Sequence, residues 1–335
     1  MFLRSLTVIA FLAAMPSIGQ SPATPAKAPG PVLRTVVDVP MPGPAVRFDY
    51  QSLNATNGRL YIAHMNADQL VVFDTATRKV VANLDGFKRV HGVWAVPELG
   101  RVYASATGEH RVDAVDETTL KVVGQAGPVV YPDGLAYAPG PKRVFVSDEH
   151  GNADAVIDTQ SNRIVANIPL GGGAGNTVYD ASAKRILVAV HETSELVAID
   201  PEAMRIIGRY PVAGVKEPHG VSVDAAHGLA FVAGQANQVL AVVDLQSMKV
   251  LSTHPIGRDA DVLAYDAGLG LLYVSCESGT VSVFRRQGKE LVLEGELSMP
   301  HAHTVAVDQK THLVYFPLEN VDGKPLLRIM EHVSR

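Results

Sequence analysis

Residues 143–169 read RVFVSDEHGNADAVIDTQSNRIVANIP, and this stretch decides the fold of the chain. Three short apolar runs, at 144–146, 156–157 and 164–165, are separated by polar, turn-forming residues. Runs this short, without apolar residues at helical spacing, are typical of β-strands joined by tight turns. We therefore predict consecutive antiparallel strands in this stretch.

The same pattern recurs along the whole chain. The central residues of the equivalent strands lie at 61, 103, 145, 187, 231, 273 and 315, with spacings of 42, 42, 42, 44, 42 and 42. An apolar pair followed by an Asp recurs at the same spacing as the strand centres. We interpret these Asp residues as turn formers: Asp74, Asp116, Asp158, Asp200 and Asp244. Seven such units predict an all-β, seven-bladed β-propeller with four antiparallel strands per blade.

The seventh unit leaves its blade one strand short. Residues 326–330 match the third strand of the other units, and no fourth strand follows before Arg335. Residues 34–40 precede the first unit and resemble the outer strands at 163–169 and 248–255. We expect this N-terminal strand to close the last blade, because an unpaired strand edge at that point would invite aggregation.

Over residues 32–335 the chain resembles the YVTN-type, YncE-like group of bacterial repeat propellers. The resemblance rests on the aromatic-Val-small core of the repeat, as at Tyr273, Val274 and Ser275, and on the apolar-Asp turns that follow it. The Asn that ends the namesake tetrapeptide is absent from every unit, as at Asp148 and Cys276. The resemblance implies a fold and leaves function open, because this architecture hosts lyases, lactonases, dehydrogenase subunits and binding modules.

Composition narrows the classes of function. The chain of 335 residues is 47% hydrophobic and 19% charged, as expected for a well-packed globular protein. Its net charge of -5 and lack of a basic stripe disfavour nucleic-acid binding. A single cysteine, Cys276, excludes an intramolecular disulfide and CxxC metal motifs, so any metal site must use His and carboxylates.

The first residues resemble an export signal. Arg4 precedes a ten-residue apolar run at 6–15, and small residues follow at 17–19. We predict a signal peptide at 1–19, a Pro-rich tether at 20–31 and a single propeller at 32–335. The expected location is periplasmic or secreted, without a transmembrane segment, because ten apolar residues are too few to span a bilayer. We expect a monomer.

One register of the repeat is rich in His and Asp. The position twelve residues before each strand centre is occupied, in chain order, by Asp49, His91, Asp133, Gly175, His219, Asp261 and His303. In a propeller this position introduces the innermost strand and faces one end of the central channel, where functional residues gather. His is rare in this chain, at 12 of 335 residues, so three in one register exceed what turn preference explains.

This register predicts a candidate site at the mouth of the channel. His91, His219 and His303 are candidate ligands of a divalent transition metal such as Zn, Mn, Fe or Cu. A loop rich in acids and His opens onto the same face, and it adds His191 and Glu277 to the candidate ligand-binding residues Asp49, Asp133 and Asp261. A metal-free pocket for a small molecule or peptide and purely structural polar residues are the two alternative interpretations.

Two functions remain open at this stage. The first is a binding or scaffold module of the cell envelope that binds a small molecule, a metal or an envelope protein or peptide at this mouth. The second is a metal-assisted, lactonase-like lyase or hydrolase acting at the same place. No GxSxG or dinucleotide-binding fingerprint supports a serine hydrolase or a hydride-transfer enzyme.

Overall fold

Seven four-stranded antiparallel sheets account for the fold, in a computed structural model that describes residues 31–333. Three single-turn 3-10 helices, at Met65–Ala67, Pro97–Leu99 and Thr107–Glu109, are the helical elements of this range. The all-β, seven-bladed β-propeller predicted from the repeat is thus confirmed. The predicted signal peptide at 1–19 and nearly all of the predicted tether at 20–31 lie outside the described residues.

The strands follow one another along the chain, four to a blade after the first. The N-terminal strand is β1 (Leu33–Pro40). Blades 1–3 contain β2 (Gln51–Asn54), β3 (Arg59–His64), β4 (Gln69–Asp74), β5 (Lys79–Asp85), β6 (Val90–Val96), β7 (Arg101–Ala106), β8 (Arg111–Asp116), β9 (Val122–Ala126), β10 (Pro132–Ala138), β11 (Arg143–Asp148), β12 (Ala153–Asp158) and β13 (Arg163–Pro169). Blades 4–6 contain β14 (Ala174–Asp180), β15 (Arg185–Val190), β16 (Glu195–Asp200), β17 (Arg205–Pro211), β18 (Pro218–Asp224), β19 (Leu229–Gly234), β20 (Val239–Asp244), β21 (Lys249–Pro255), β22 (Ala260–Asp266), β23 (Leu271–Cys276), β24 (Thr280–Gln287) and β25 (Glu290–Ser298). Blade 7 contains β26 (Ala306–Val307), β27 (Leu313–Val321) and β28 (Lys324–His332).

Strand β1 is the outer strand of blade 7. It pairs antiparallel with β28 from Leu33, opposite His332, to Pro40, opposite Leu326, with one bulge between Thr35 and Val37. The last blade is therefore closed by the N-terminal strand, as predicted from the sequence. This pairing gives β28 a partner on both edges.

The hydrophobic core lies between the blades. Seven buried clusters fill the seven interfaces, and each combines side chains of two neighbouring blades. The aromatic centres of the repeat, such as Tyr61, Phe145 and Tyr273, are at most 1% exposed. Because each blade buries its faces only against its neighbours, the core is continuous around the ring.

Arginine side chains connect the first five blades. The residue that opens the second strand of blades 1–4 donates to a backbone carbonyl of the next blade: Arg59 to Glu117, Arg101 to Thr159, Arg143 to Pro201 and Arg185 to Leu245. In blades 5–7 the same position holds Leu229, Leu271 and Leu313. The seven interfaces are thus alike in their apolar cores and differ in this polar contact.

No helix among residues 31–333 is long and apolar enough to cross a membrane.

Candidate functional site at the channel mouth

A bulge in each inner strand of blades 2–6 aims the His/Asp register at the mouth. The ladder between β6 and β7 shifts between Val90 and Val93, where His91 lies, and the shift recurs in β10, β14, β18 and β22. Such a bulge bends the strand and turns one side chain out of the ladder. The register residues therefore project together at one end of the channel.

Glycines next to the register residues allow the bulges to pack closely. A Cβ at Gly92 would lie 1.9 Å from the carbonyl oxygen of Asp133, and a Cβ at Gly220 would lie 2.3 Å from that of Asp261. Both distances are far below contact, so a larger residue would push neighbouring blades apart at the mouth. The crowding holds the register residues of adjacent blades at fixed separations.

Blades 1 and 7 supply their register residues differently. Their inner strands, β2 and β26, begin after Asp49 and His303, so both residues lie in irregular segments. These segments meet at the channel mouth between blades 7 and 1, where His303 Nε2 lies 3.1 Å from Asp49 Oδ1. The site therefore includes two non-strand segments next to five bulged strands.

The mouth contains a small polar cavity of about 180 Å³. Carboxylates and imidazoles dominate its wall, which consists of Arg47, Asp49, Tyr50, His91, Tyr131, Asp133, Glu149, His219, Gln235, Asp261 and Glu277. Five of these side chains are carboxylates and one is an arginine. The cavity therefore favours a cation or a small, strongly polar ligand.

Asp49, Asp261 and His303 form the tightest group in the wall. His303 Nε2 lies 3.1 Å from Asp49 Oδ1 and 2.8 Å from Asp261 Oδ2, and one ligand atom from each residue falls within 4.8 Å of the others. The three residues are 2–6% exposed. Asp261 Oδ1 is buried and has no hydrogen-bond partner of acceptable geometry, although His219 Nε2 lies 3.0 Å away.

The contacts of His303 Nε2 require incompatible protonation states. Arg47 Nη2 lies 2.9 Å away and can only donate, so it needs a lone pair on Nε2. The two carboxylates need a proton on the same atom. A metal ion between these groups would remove the need for that proton, because it would accept lone pairs from Nε2 and from both carboxylates at once.

Charge at the mouth shifts the pKa of several groups. Burial disfavours the charged form of His303 and His219, but Asp261 overrides it and raises their pKa to about 10 and about 9. The two imidazoles in turn hold the pKa of Asp261 well below its usual range against the effect of burial. Burial and the charge of Asp49 raise the pKa of Asp133 well above its usual range.

Two further histidines flank this group. His191 Nε2 lies 2.9 Å from His219 Nδ1, and burial together with the charge on His219 lowers the pKa of His191 to about 4. His91 Nδ1 contacts the carbonyl of Arg89 at 2.7 Å, and its Nε2 faces the Tyr131 hydroxyl at 3.1 Å. Burial lowers the pKa of His91, so its neutral form is favoured.

Tyr50 separates the mouth from the central channel. Its ring lines both the mouth cavity and a channel cavity of about 330 Å³. Asn176 Nδ2 donates to the Tyr50 hydroxyl at 2.6 Å, and that hydroxyl is 3.4 Å from Asp133 Oδ2. Tyr50 therefore lies at the boundary between the two cavities.

The structure brings most of the predicted site residues together. Asp49, His91, Asp133, His219, Asp261 and Glu277 line the cavity, while His303 contacts Asp49 and Asp261, and His191 contacts His219. The compact group combines His303 with two carboxylates rather than with His91 and His219. The ligand roles themselves stay predictions.

Sequence reasoning missed Arg47, Tyr50 and Tyr131. Arg47 and Tyr131 lie two residues before the His/Asp register, and Tyr50 lies one residue after it. The position two residues before the register is charged or polar in six of the seven units, and comparing the units there would have found Arg47 and Tyr131. The position after the register holds glycine in three units and gave no signal for Tyr50.

Seven four-stranded blades around a channel with a His- and Asp-lined mouth define a seven-bladed β-propeller with one polar end. Hydrazine synthase of Kuenenia stuttgartiensis contains a chain of similar structure, with a TM-score of 0.72 over 92% of this chain and 99% of that chain. The two share 15% sequence identity, so the likeness shows the fold alone. No protein-family model matches the chain, and no curated protein matches it in sequence.

Proposed function

We propose that the protein is a β-propeller binding module that holds a divalent transition metal at the channel mouth. The observation that carries the proposal is the group of Asp49, Asp261 and His303, in which one imidazole nitrogen faces two buried carboxylates. Buried carboxylates need compensation by a proton, a cation or hydrogen bonds. The carboxylates of Asp49 and Asp261 face the same imidazole nitrogen, and this concentration of acceptors supports an external cation.

The donor set indicates the kind of metal. One imidazole and two carboxylates suit Mn²⁺, Fe²⁺ or Zn²⁺ better than Mg²⁺ or Ca²⁺, which prefer oxygen ligands alone. Three protein ligands also leave coordination positions for a small molecule or water. We propose that a small molecule from outside the protein takes these positions.

The setting of the module remains part of the proposal. The predicted signal peptide at 1–19 supports a periplasmic or secreted location. The YncE-like resemblance supports the same class of exported repeat propellers. A small molecule or an envelope protein or peptide is the proposed partner.

Metal analysis of the untagged protein tests the proposal. We expect Mn²⁺ or Zn²⁺ to bind near one equivalent, and the double variant Asp49→Asn, Asp261→Asn to bind it roughly 100-fold more weakly or worse. Mass spectrometry of metal content and titration calorimetry measure this. Asp133→Asn is the matched control, since it removes a carboxylate of the same cavity from outside the group.

Two results would contradict the proposed ligands. Unchanged affinity in the double variant would exclude the carboxylates as ligands. Loss of metal in His91→Ala, His219→Ala with the carboxylates intact would instead assign the three-histidine set expected from the sequence.

A metal-assisted lyase or hydrolase is the second candidate function. Several groups that can hold or accept a proton lie beside the metal-binding group: His91, Asp133 and the pair of His191 and His219. Their presence favours an enzyme that uses acid–base catalysis. Turnover of lactones, esters or uronate oligomers by the metal-loaded protein would support the enzyme. No turnover of any of these three substrate classes by protein whose metal content has been measured would favour the binding module.

A further inference from the structure

Arg47 is the cation nearest to the candidate metal ligands. Its Nη2 lies 2.9 Å from His303 Nε2, 3.0 Å from Glu277 Oε1 and 4.0 Å from Asp261 Oδ2. Its Nε is buried without a hydrogen-bond partner, and the side chain is 33% exposed. Arg47 is thus held through Nη2, while its Nε has no hydrogen-bond partner among the described residues.

A metal ion and this guanidinium cannot both keep these positions. An ion that accepts the lone pair of His303 Nε2 removes the acceptor that Arg47 contacts, and its charge repels the guanidinium across a short distance. The side chain is long and partly exposed, so it can turn toward the opening without disturbing the strands. The Glu277 side chain is 38% exposed, so it can move with the Arg47 guanidinium or release it.

We propose that Arg47 is the specificity-determining residue of the mouth. Without metal its charge adds to that of His219 and His303 in compensating the carboxylates of the group. With metal bound, its freed guanidinium binds the carboxylate of a small ligand whose other oxygen completes the coordination of the metal. This inference rests on the proposed metal-binding function and names the ligand class of the same site.

The cavity limits the ligand to a small carboxylate. Its volume of about 180 Å³ suits a hydroxycarboxylate of a few heavy atoms. Arginine binds a carboxylate through two parallel hydrogen bonds. In Arg47 the Nε atom is buried without a partner, and Nη2, once a metal ion has displaced it from His303 Nε2, completes that fork. The carboxylates of Glu149 and Glu277 in the same wall disfavour a more highly charged anion such as phosphate.

Opposite effects of one substitution test the inference. In Arg47→Ala we expect Mn²⁺ to bind the metal-free protein roughly ten-fold more tightly, because a competing cation is gone. Glycolate should bind the Mn²⁺-saturated variant roughly ten-fold more weakly than the wild type, because its carboxylate loses the guanidinium. Titration calorimetry measures both, and phosphate in place of glycolate tests the charge limit.

Arg89→Ala is the matched control. It removes the same charge at the rim, where Arg89 lies over the Tyr131 ring at 5.9 Å, and we expect it to change neither affinity more than about two-fold. Arg47→Gln gives a second variant of similar size if Arg47→Ala melts at a lower temperature.

Each outcome decides between the two proposals. Weaker Mn²⁺ binding in both Arg47 variants would overturn the inference while leaving the metal site in place. Equal glycolate affinity in the wild type and the Arg47 variants would overturn the ligand class. Absence of Mn²⁺ binding in the wild type and in every variant would overturn the proposed function, and the inference with it.

Discussion

A single buried carboxyl group interrupts an otherwise apolar position of the repeat. Asp154 in β12 is fully buried, and it accepts hydrogen bonds from Thr177 Oγ1 at 2.9 Å and from the Val146 amide at 3.2 Å. The equivalent position in other blades is apolar: Leu70, Val112, Leu196 and Leu240. Burial raises the pKa of Asp154 to about 7, because two hydrogen bonds compensate the lost hydration only in part.

Asp154→Asn should therefore stabilise the protein at neutral and alkaline pH. In the unfolded chain the carboxyl ionises near pH 4, whereas the folded protein keeps the proton up to about pH 7, so stability falls as pH rises through this window. The substitution removes this loss, on the order of 2–4 kcal/mol above pH 7. Thermal melts at pH 5 and pH 8 measure it.

The control for this prediction is Asp158→Asn in the same strand. The Asp158 carboxylate caps a turn and accepts hydrogen bonds from Ser161, which lower its pKa. Its removal should therefore leave the loss of thermal stability between pH 5 and pH 8 unchanged. An Asp154→Asn protein with the same fall as the wild type would show that Asp154 is ionised when folded.

At the scale of the element, the second strand of each blade carries the contact that differs around the ring. Arg101, at the start of β7, donates to the Thr159 carbonyl of blade 3 at 2.6 Å, and Arg143 donates to the Pro201 carbonyl of blade 4 at 2.7 Å. Blades 5–7 have leucine there, and polar contacts between these blades come from other positions, such as Lys289 with Asp244 and His312 with Asp266. The arginine contacts therefore supplement the packing between the first five blades.

Arg101→Leu copies into blade 2 the residue that blades 5–7 use. We expect a loss of roughly 1.5–3 kcal/mol in the free energy of unfolding, because a charged donor leaves a partly buried carbonyl unpaired. Urea denaturation measures the loss. Arg163→Leu, at the start of the outer strand β13, should change stability by less than about 0.5 kcal/mol, and equal effects of the two substitutions would refute the contact.

The sequence could predict strands and blades because each element repeats seven times. It also predicted the direction of the register, since bulges at equivalent places aim equivalent residues at one mouth. It could not predict which members of the register meet, because Asp49 and His303 lie in irregular segments without a strand pattern. The position of Arg47 depends on the same segments, where no neighbouring unit provides a template.

At the scale of the whole molecule, closure joins residues far apart in sequence. β1 and β28 pair along their full length, and ion pairs from Arg34 to Glu331 and from Arg328 to Asp38 span about three hundred residues. Leu33 of β1 is 2% exposed and belongs to the core between blades 6 and 7. This one strand thus contributes both a ladder and part of the core.

Deleting residues 32–40 should lower the melting temperature strongly. The deletion removes the pairing partner of β28 and the buried side chains Val32 and Leu33, each fully buried aliphatic side chain contributing about 1.5–3 kcal/mol. Differential scanning calorimetry measures the shift. The control Arg34→Ala removes only an exposed ion pair and should cost less than about 1 kcal/mol, and a deletion variant that melts with the wild type would refute closure by β1.

The pairing of β1 with β28 also fixes an order in time. During synthesis β1 leaves the ribosome before β28, so β1 has no partner until β28 has been made. A chain interrupted before β28 keeps two unpaired strand edges, which other chains can join. An incomplete chain therefore exposes unpaired strand edges to proteases, whereas in the complete chain β1 and β28 are paired.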